Sequence, residues 1–412
     1  MRLRTLDDLG DLAGRRAFVR LDLNVPLEDG AVTDDARIRA SLPTLTELLE
    51  RGAAIVAASH LGRPSGRVDE ALRLGPVAEL LQRFLDRVVE YVPTDGVLSP
   101  EVEQSCQALA FEPGRLVLLE NLRFDPGEVA NDRAFAQRLA GLADFYVDDA
   151  FGAVHRDHAS VVALPAILRE QGREAVAGRL LQREVEALSR LVADPARPYV
   201  AVLGGAKVSD KLGTIGALVE RVDALLIGGA MAFTFLAADG ASVGDSLVEP
   251  ERFDGVRAAR ARADERGVVV QLPEDVVVAT SKSLDASRHT VPSAQVPAGE
   301  LGLDIGPRTV EEFARTIADA KTIVWNGPMG VFELEPFGAG TRGVAMAIAG
   351  ASAYSVVGGG DSLAAVKKYG LEDGFDHLST GGGASLEFIE GRELPGIAIL
   401  EVGRANDRET SP

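Results

Sequence analysis

The 412-residue chain predicts an α/β fold of two lobes, each a parallel sheet covered by helices, joined by a connecting helix. Three observations carry that expectation. Short apolar runs of β-favouring residues alternate with segments of helical period along most of the chain. Polar, basic or glycine-rich residues gather where those runs end, which is where open parallel sheets place their ligands. Near the middle, Leu181, Val185, Leu188 and Leu191 keep helical spacing until Pro195 and Pro198 break it, and a second βα series follows.

Taken in order, RAFVRLDLNVP from Arg16 has the alternation of a strand and stops at Pro26. The spacing predicts a helix over 33–50, where Asp34 or Asp35 can cap and Ile38, Leu42, Leu45, Leu48 and Leu49 form the apolar stripe. A strand over 53–58 ends in Ser59-His60-Leu61-Gly62-Arg63-Pro64. A helix (77–85), two strands (88–92 and 116–120), a helix (132–142) and a strand (145–148) complete the first series. The second has strands over 199–203, 224–227, 268–271, 322–325 and 354–357. This divides the chain into a first lobe (1–179), a connecting helix and hinge (180–195) and a second lobe (196–396). The tail after Val402, GRANDRETSP, is polar and expected to be loosely held.

Composition removes several classes of function. Apolar content of 46% with 25% charged residues is that of a soluble globular protein. A net charge of -19 and pI near 4.8 argue against general nucleic-acid or anionic-membrane binding, so any anionic substrate needs a local cationic cluster. The single Cys106 excludes an intrachain disulfide and fits a reducing compartment. The amino terminus lacks an apolar signal core and no run approaches a membrane span, so the expected location is cytoplasmic.

The organising stretch is VAVLGGAKVSDKLGTIG, where an apolar strand runs into Gly204-Gly205 and then Lys207 and Lys211. A helix starting near Ser209 would place both ammonium groups on one side of its first turns, beside the positive end of the helix dipole. The chain has six lysines, and every basic residue before Lys207 is arginine. A compact ammonium can follow a phosphoryl group in motion, whereas a guanidinium grips a fixed one. The competing reading is an ordinary βα turn with solvated lysines, since the stretch is not the Gly-x4-Gly-Lys-Ser/Thr loop.

In the first half, strand-end turns offer Asp22, Asn24, Arg37, His60, Arg63, Arg123 and Arg156. Each arginine alone would be read as a solvated surface residue, but together they form a basin suited to a small phosphorylated carboxylate. Asp22 and Asn24 could orient hydroxyls, and His60 could donate, especially if protonated by a bound phosphate. His155 and His158, in HRDH, have the spacing of two ligands on one helical face. No spacing supplies a third zinc ligand, and hydrogen bonding beside Arg156 is the favoured role. The second half carries four glycine-rich turns: Gly204-Gly205, Gly228-Gly229, Gly358-Gly359-Gly360-Asp361-Ser362 and Thr380-Gly381-Gly382-Gly383. In the third, amides and Ser362 can meet phosphate oxygens and Asp361 can hold a magnesium ion carried in by a nucleotide. No strand-linked GxGxxG, GxSxG elbow or Cys/His nucleophile pair is present.

With those residues in view, the sequence resembles the phosphoglycerate kinase family over nearly its whole length. RLDLNVP, DDARIRASLPT, SHLGRP, LLENLRF, DDAFGAVHRDHAS, LGGAKVSDK, GGAMAFTFL, LGLDIGP, WNGPMGVFE, VGGGDSLAAV and STGGGASLEF carry the likeness. The resemblance implies two Rossmann-like lobes and reversible, magnesium-dependent phosphoryl transfer in glycolysis, between 1,3-bisphosphoglycerate with ADP and 3-phosphoglycerate with ATP. It implies a phosphoglycerate side of Asp22, Asn24, Arg37, His60, Leu61, Gly62, Arg63, Arg123 and Arg156. It implies a nucleotide side of Gly205, Ala206, Lys207, Lys211, Gly302, Asn326, Glu333, Gly359, Gly360, Asp361 and Ser362. Glu333 would receive the ribose hydroxyls and Asp361 would be the metal carboxylate. Arg37, Lys207, Lys211 and the amides near Gly382 and Gly383 would stabilise the transferred group. The likeness further implies a monomer, lobe closure before in-line transfer, and a tail over about 397–412 packed back near the first lobe. Ala230, Asp148 and Ala153-Val154 depart from the family's usual residues without removing a charged reactant contact. The rival expectations are a nucleotide-binding regulatory protein on the same fold without turnover, and a kinase of another small phosphorylated acid.

Overall fold

The computed structural model describes residues 2–109, 112 and 114–403, so all of GRANDRETSP beyond Gly403 lies outside the described residues. The chain divides into two compact units, one of residues 1–186 with 393–412 and one of residues 187–392. The helix Arg179–Val192 contains the point at which the chain passes from the first to the second.

The first unit is built on six parallel strands in the order Val89–Tyr91, Leu116–Leu118, Ala54–Ala58, Arg16–Leu21, Phe145–Asp149, Ala175–Ala177. Ala54–Ala58 and Phe145–Asp149 are buried at every position, because helices cover both faces of a parallel sheet. That is why near-continuous apolar runs announce these strands. The first strand ends at Leu21, before LNVP, and carries the fully buried Arg20 in register with Asp148. The following helix is Ala36–Glu50; Asp35 occupies its N-cap without a side-chain capping bond, and Asp34 Oδ1 accepts the Ala36 N–H at 2.9 Å. The C-terminal segment belongs to this unit, with Gly396 N donating to Val154 O (2.9 Å) and Arg4 N to Leu400 O (3.0 Å).

The second unit repeats the plan with Val269–Gln271, Ala224–Ile227, Tyr199–Leu203, Thr322–Asn326, Tyr354–Gly358 and His377–Ser379, again all parallel. Its core gathers Trp325, Phe313, Ile323, Val344 and Val357 between sheet and helices. A second, antiparallel sheet of Arg288–Pro292, Asp275–Ala279 and Leu301–Ile305 was not expected from the sequence. It forms one wall of the cavity described below. No described helix is long and apolar enough to cross a membrane.

Candidate active site

In the first unit, the segments that follow the central strands are laced together by side chains aimed at backbone. Asn24 Oδ1 accepts the Gly62 N–H (2.9 Å), and Ser59 Oγ accepts that of Leu23 (2.9 Å). Asn121 accepts from Leu61 N (3.2 Å) and Arg123 N (3.1 Å) and donates to Leu61 O (2.7 Å) and Leu72 O (2.9 Å). Arg123 Nη1 then donates to Gly62 O at 2.7 Å, and Arg37 Nη1 to the buried Asp22 at 2.6 Å. Asp22, Asn24, Arg37, the His60–Gly62 turn and Arg123 are thus joined in one network. Arg63 is exposed and Arg156 half-buried. Both lie near enough to act on Arg123, whose guanidinium is lowered to about 10 by burial and by Arg156, Arg20 and Arg63. Its Nε is buried without a partner. Cations that depress one another's charge, with few carboxylates between them, make a site that gains by taking up an anion.

Arg20 was missed as a site residue, although it stands in the quoted RLDLNVP. Its Nε donates to Ser160 Oγ (2.9 Å), its Nη1 to Leu21 O, and its Nη2 lies 3.0 Å from His60 Nδ1. A guanidinium can only donate, so Nδ1 accepts and the neutral imidazole carries its proton on Nε2. Burial, reinforced by Arg20, Arg123 and Arg37, holds His60 well below its ordinary 6.5. In the free protein His60 is therefore a neutral donor; the imidazolium considered from the sequence was tied to a bound phosphate. The signal for Arg20 was available: an arginine flanked by Val19 and Leu21 in a run buried on both sides needs polar partners.

His155 and His158 do not share a helical face, since they lie in the turn after the short 3-10 helix Phe151–Ala153. Burial and nearby arginines lower His158 to about 4, and its Nδ1 is 3.7 Å from Glu128 Oε1. Among the described residues there is no group of three or more His, Cys, Asp or Glu that could hold a metal ion. The departures are accommodated by packing: Ala153 and Val154 are buried beneath the Gly396 turn, and Asp148 accepts from Ala150 N (3.0 Å) and Tyr146 Oη (3.2 Å). Burial pushes Asp148 up to about 6.

In the second unit a cavity of about 360 Å³ is lined by Gly205, Ala206, Ala230, Gly302, Glu333 and Asp361, with Phe233, Leu303, Val331 and Lys282 among the others. Close packing leaves no room for side chains at Gly302 in its lining and at the neighbouring Gly204. A Cβ at Gly204 would lie 2.1 Å from Pro328 O, and one at Gly302 would lie 1.9 Å from the Phe233 ring. The helix after the first glycine turn is Leu212–Val219, with Lys211 at its N-cap. Lys207 and Lys211 therefore sit in the turn before the helix rather than on its first turns. Lys207 is exposed, whereas Lys211 reaches in to Asn326 Oδ1. Burial lowers the Lys211 ammonium to about 8 against the opposing pull of Asp210 and Asp361. Gly359 (φ 92°) turns beside Asn326, with Gly360 opening the next helix. Ser362 is fully buried and accepts the Gly327 N–H at 2.6 Å, so it braces the WNGP segment from behind. A Cβ at Gly382 or Gly383 would meet nothing within 4 Å, leaving open space beside that backbone.

Two parallel-sheet units, one bearing a basin of arginines and the other a cavity ringed by glycine turns, lysine and carboxylate, define a phosphotransferase of the α/β class. Comparison with known proteins makes this specific. The phosphoglycerate kinase family model matches residues 6–392. The phosphoglycerate kinase of Thermomicrobium roseum is 52% identical over 398 residues, covering 97% of this chain and 99% of that one. That of Salinispora arenicola is 53% identical over 410 residues, covering 97% and 100%. The solved structure of phosphoglycerate kinase from Coxiella burnetii matches with a TM-score of 0.85 at 43% identity, over 97% of this chain and 99% of that one. The chain belongs to the phosphoglycerate kinase family, whose members are phosphotransferases with a carboxyl group as acceptor.

Proposed function

We propose that the protein interconverts 1,3-bisphosphoglycerate and ADP with 3-phosphoglycerate and ATP, the arginine basin taking the phosphoglycerate and the cavity taking the nucleotide. The observation that carries this reading is Lys211: a desolvated ammonium bound to Asn326 and within the field of Asp361, beside glycine turns open to phosphate. Such a charge is unfavourable in the empty protein and gains most when a phosphoryl group arrives.

In the direction that consumes ATP the acceptor is a carboxylate, already ionised at neutral pH, so the step needs no general base. What it needs is cancellation of charge between a carboxylate, a phosphate and a triphosphate. Arg63, Arg123 and Arg156 would bind the acceptor's phosphate, with Asp22 and Asn24 orienting it and His60 donating from Nε2. The Leu61 and Gly62 backbone completes that side. Gly205, Ala206, Gly359 and Gly360 would let backbone approach the nucleotide phosphates, Gly302 would lie against the base, and Glu333 would accept from the ribose. Arg37, Lys207, Lys211 and the amides near Gly382 and Gly383 would stabilise charge on the transferred group.

Asp361 is exposed at the cavity wall, and an oxygen donor standing without a cluster of further carboxylates fits a magnesium ion held mainly by phosphate oxygens and water. When bound, that ion supplies further neutralisation of the phosphate charge. The reading also makes the protein a cytoplasmic monomer, which fractionation and sedimentation would check.

A coupled assay with 3-phosphoglycerate, ATP and magnesium tests the reading. Turnover is expected. None from folded protein, or turnover only with a different acid, would overturn it. Small-angle scattering with both substrates tests closure: a radius unchanged from the free protein would count against it.

A further inference from the structure

One helix grips the nucleotide segment along its length. Gly360–Tyr369 begins at the phosphate turn carrying Asp361. In its first turn Ser362 Oγ accepts the Gly327 N–H at 2.6 Å, at the start of the segment that leads to Glu333. In its last turn Lys368 Nζ donates to Phe332 O at 2.6 Å and reaches Glu333 O at 3.4 Å, while lying 5.8 Å from the Phe332 ring centroid. Tyr369 Oη then donates to Gly338 O at 3.0 Å, just beyond the same segment. From the other side Val331 N donates to Leu303 O at 2.9 Å.

The Glu333 side chain is exposed at the cavity, and no ion pair among the described residues engages its carboxylate. Its placement is therefore inherited from its backbone. Lysines that are otherwise exposed normally leave their ammonium in water, but this one directs it to the two carbonyls at the end of the nucleotide segment.

We propose that Lys368 is a positioning residue for ribose recognition: it fixes the Phe332–Glu333 backbone and so sets the Glu333 carboxylate against the ribose hydroxyls, locked in step with the phosphate turn at the other end of its helix. The proposal rests on the reading that Glu333 receives those hydroxyls.

The test compares ATP with 2′-deoxy-ATP and 3′-deoxy-ATP in the 3-phosphoglycerate assay, for the wild type, Lys368→Met and Glu333→Gln. Methionine keeps the stem over the Phe332 ring and removes the ammonium. The wild type should favour ATP over the deoxy analogue lacking the recognised hydroxyl by about tenfold or more in kcat/KM, as expected for a hydrogen bond to a charged group. Glu333→Gln and Lys368→Met should each reduce that preference to within about threefold, with the KM for 3-phosphoglycerate unchanged. A loss of activity in Lys368→Met that is equal for all three nucleotides would make the lysine a general electrostatic or structural element and overturn the inference. Discrimination lost in Glu333→Gln but kept in Lys368→Met would also overturn it, leaving the reading of Glu333 intact. Discrimination kept in Glu333→Gln would refute the ribose role of Glu333 and the inference with it.

Discussion

Removing the Lys211 ammonium should make the protein more stable and nearly inactive. Burial lowers this group from 10.5 to about 8. The unfolded chain therefore binds a proton more readily than the folded one between those values, and the charged lysine costs folding free energy below pH 8. At pH 7 that penalty is about 3 kcal/mol, at 1.36 kcal/mol per tenfold change in proton affinity. Lys211→Met deletes the charge at nearly constant length, and against the gain stands the lost bond from the charged ammonium to Asn326, worth about 2 kcal/mol. The net expectation is about 1 kcal/mol of stabilisation, or about 2–4 °C in the transition of a unit of this size. Transfer should slow by about 10²–10³, the loss found when one preorganised charge-stabilising donor is removed. Calorimetry of the ligand-free variant and the coupled assay read the two effects. The sign is also visible in pH: the stability advantage of the variant should shrink as pH rises from 8 through 10.5, since only above the unfolded value is the wild-type lysine uncharged in both states. A variant that is less stable than the wild type at pH 7, or that turns over at a wild-type rate, would refute the assignment of Lys211 as a desolvated charge held for the phosphoryl group.

Four further substitutions probe the geometry elsewhere. Gly302→Ala drives a methyl to within 1.9 Å of the Phe233 ring, so about 1–3 kcal/mol of stability should be lost in denaturant unfolding and the KM for ATP should rise; a silent substitution would disprove the close packing. Arg37→Ala leaves the buried Asp22 without its cation: transfer should fall by about 10²–10³, and stability by less than the roughly 3–5 kcal/mol of a fully buried pair, because Arg37 is one-third exposed. Adding Asp22→Asn should restore the stability and not the rate. Burial pushes Asp149 from 3.8 up to about 7 while its Oδ1 accepts the Leu180 N–H at 2.8 Å. The folded protein then keeps a proton that the unfolded chain releases, and stability falls as pH rises between about 4 and 7. Asp149→Asn should flatten that fall, gaining on the wild type at pH 8 relative to pH 5; parallel Tm curves would sink the argument.

What was legible in the sequence follows from what each signal measures. Tyr199–Leu203 and Ala224–Ile227 stand where the apolar runs put them, because a strand buried on both faces has no polar positions to blur its ends. The antiparallel Arg288–Pro292 strand was invisible: RHTVP is almost wholly exposed and reads as loop. The start of the Leu212 helix was misplaced because lysine spacing fits a helical turn and a tight loop equally well until the backbone is known. At the proposed site, cations at strand ends could be singled out, because transfer between anions would demand them there. The braces behind them were not. Asn121, Ser59 and Lys368 act through carbonyls and amides distant in sequence, and no local pattern distinguishes a lysine that holds a backbone from one that dissolves a surface.

The two units solve the same electrostatic problem differently, and the difference follows from what each cation must do. The basin uses arginine, and two guanidinium groups in and beneath it are tied down: Arg123 to Gly62 O, and Arg20 to Ser160 and His60. A guanidinium fork held in this way loses little freedom on meeting an anion that stays bound throughout the reaction. The second unit uses lysine beside its glycine turn, and the single point charge of Lys211 can turn from Asn326 to an arriving oxygen without breaking a planar pairing. Both arrangements leave positive charge desolvated in the empty protein, despite a net charge of -19 over the whole chain. Surface carboxylates could neutralise these groups cheaply, yet Lys211 faces an amide oxygen and Arg123 a carbonyl. On the proposed reading, stability is given up locally so that the largest electrostatic gain would fall on the substrates, and above all on the transferred group.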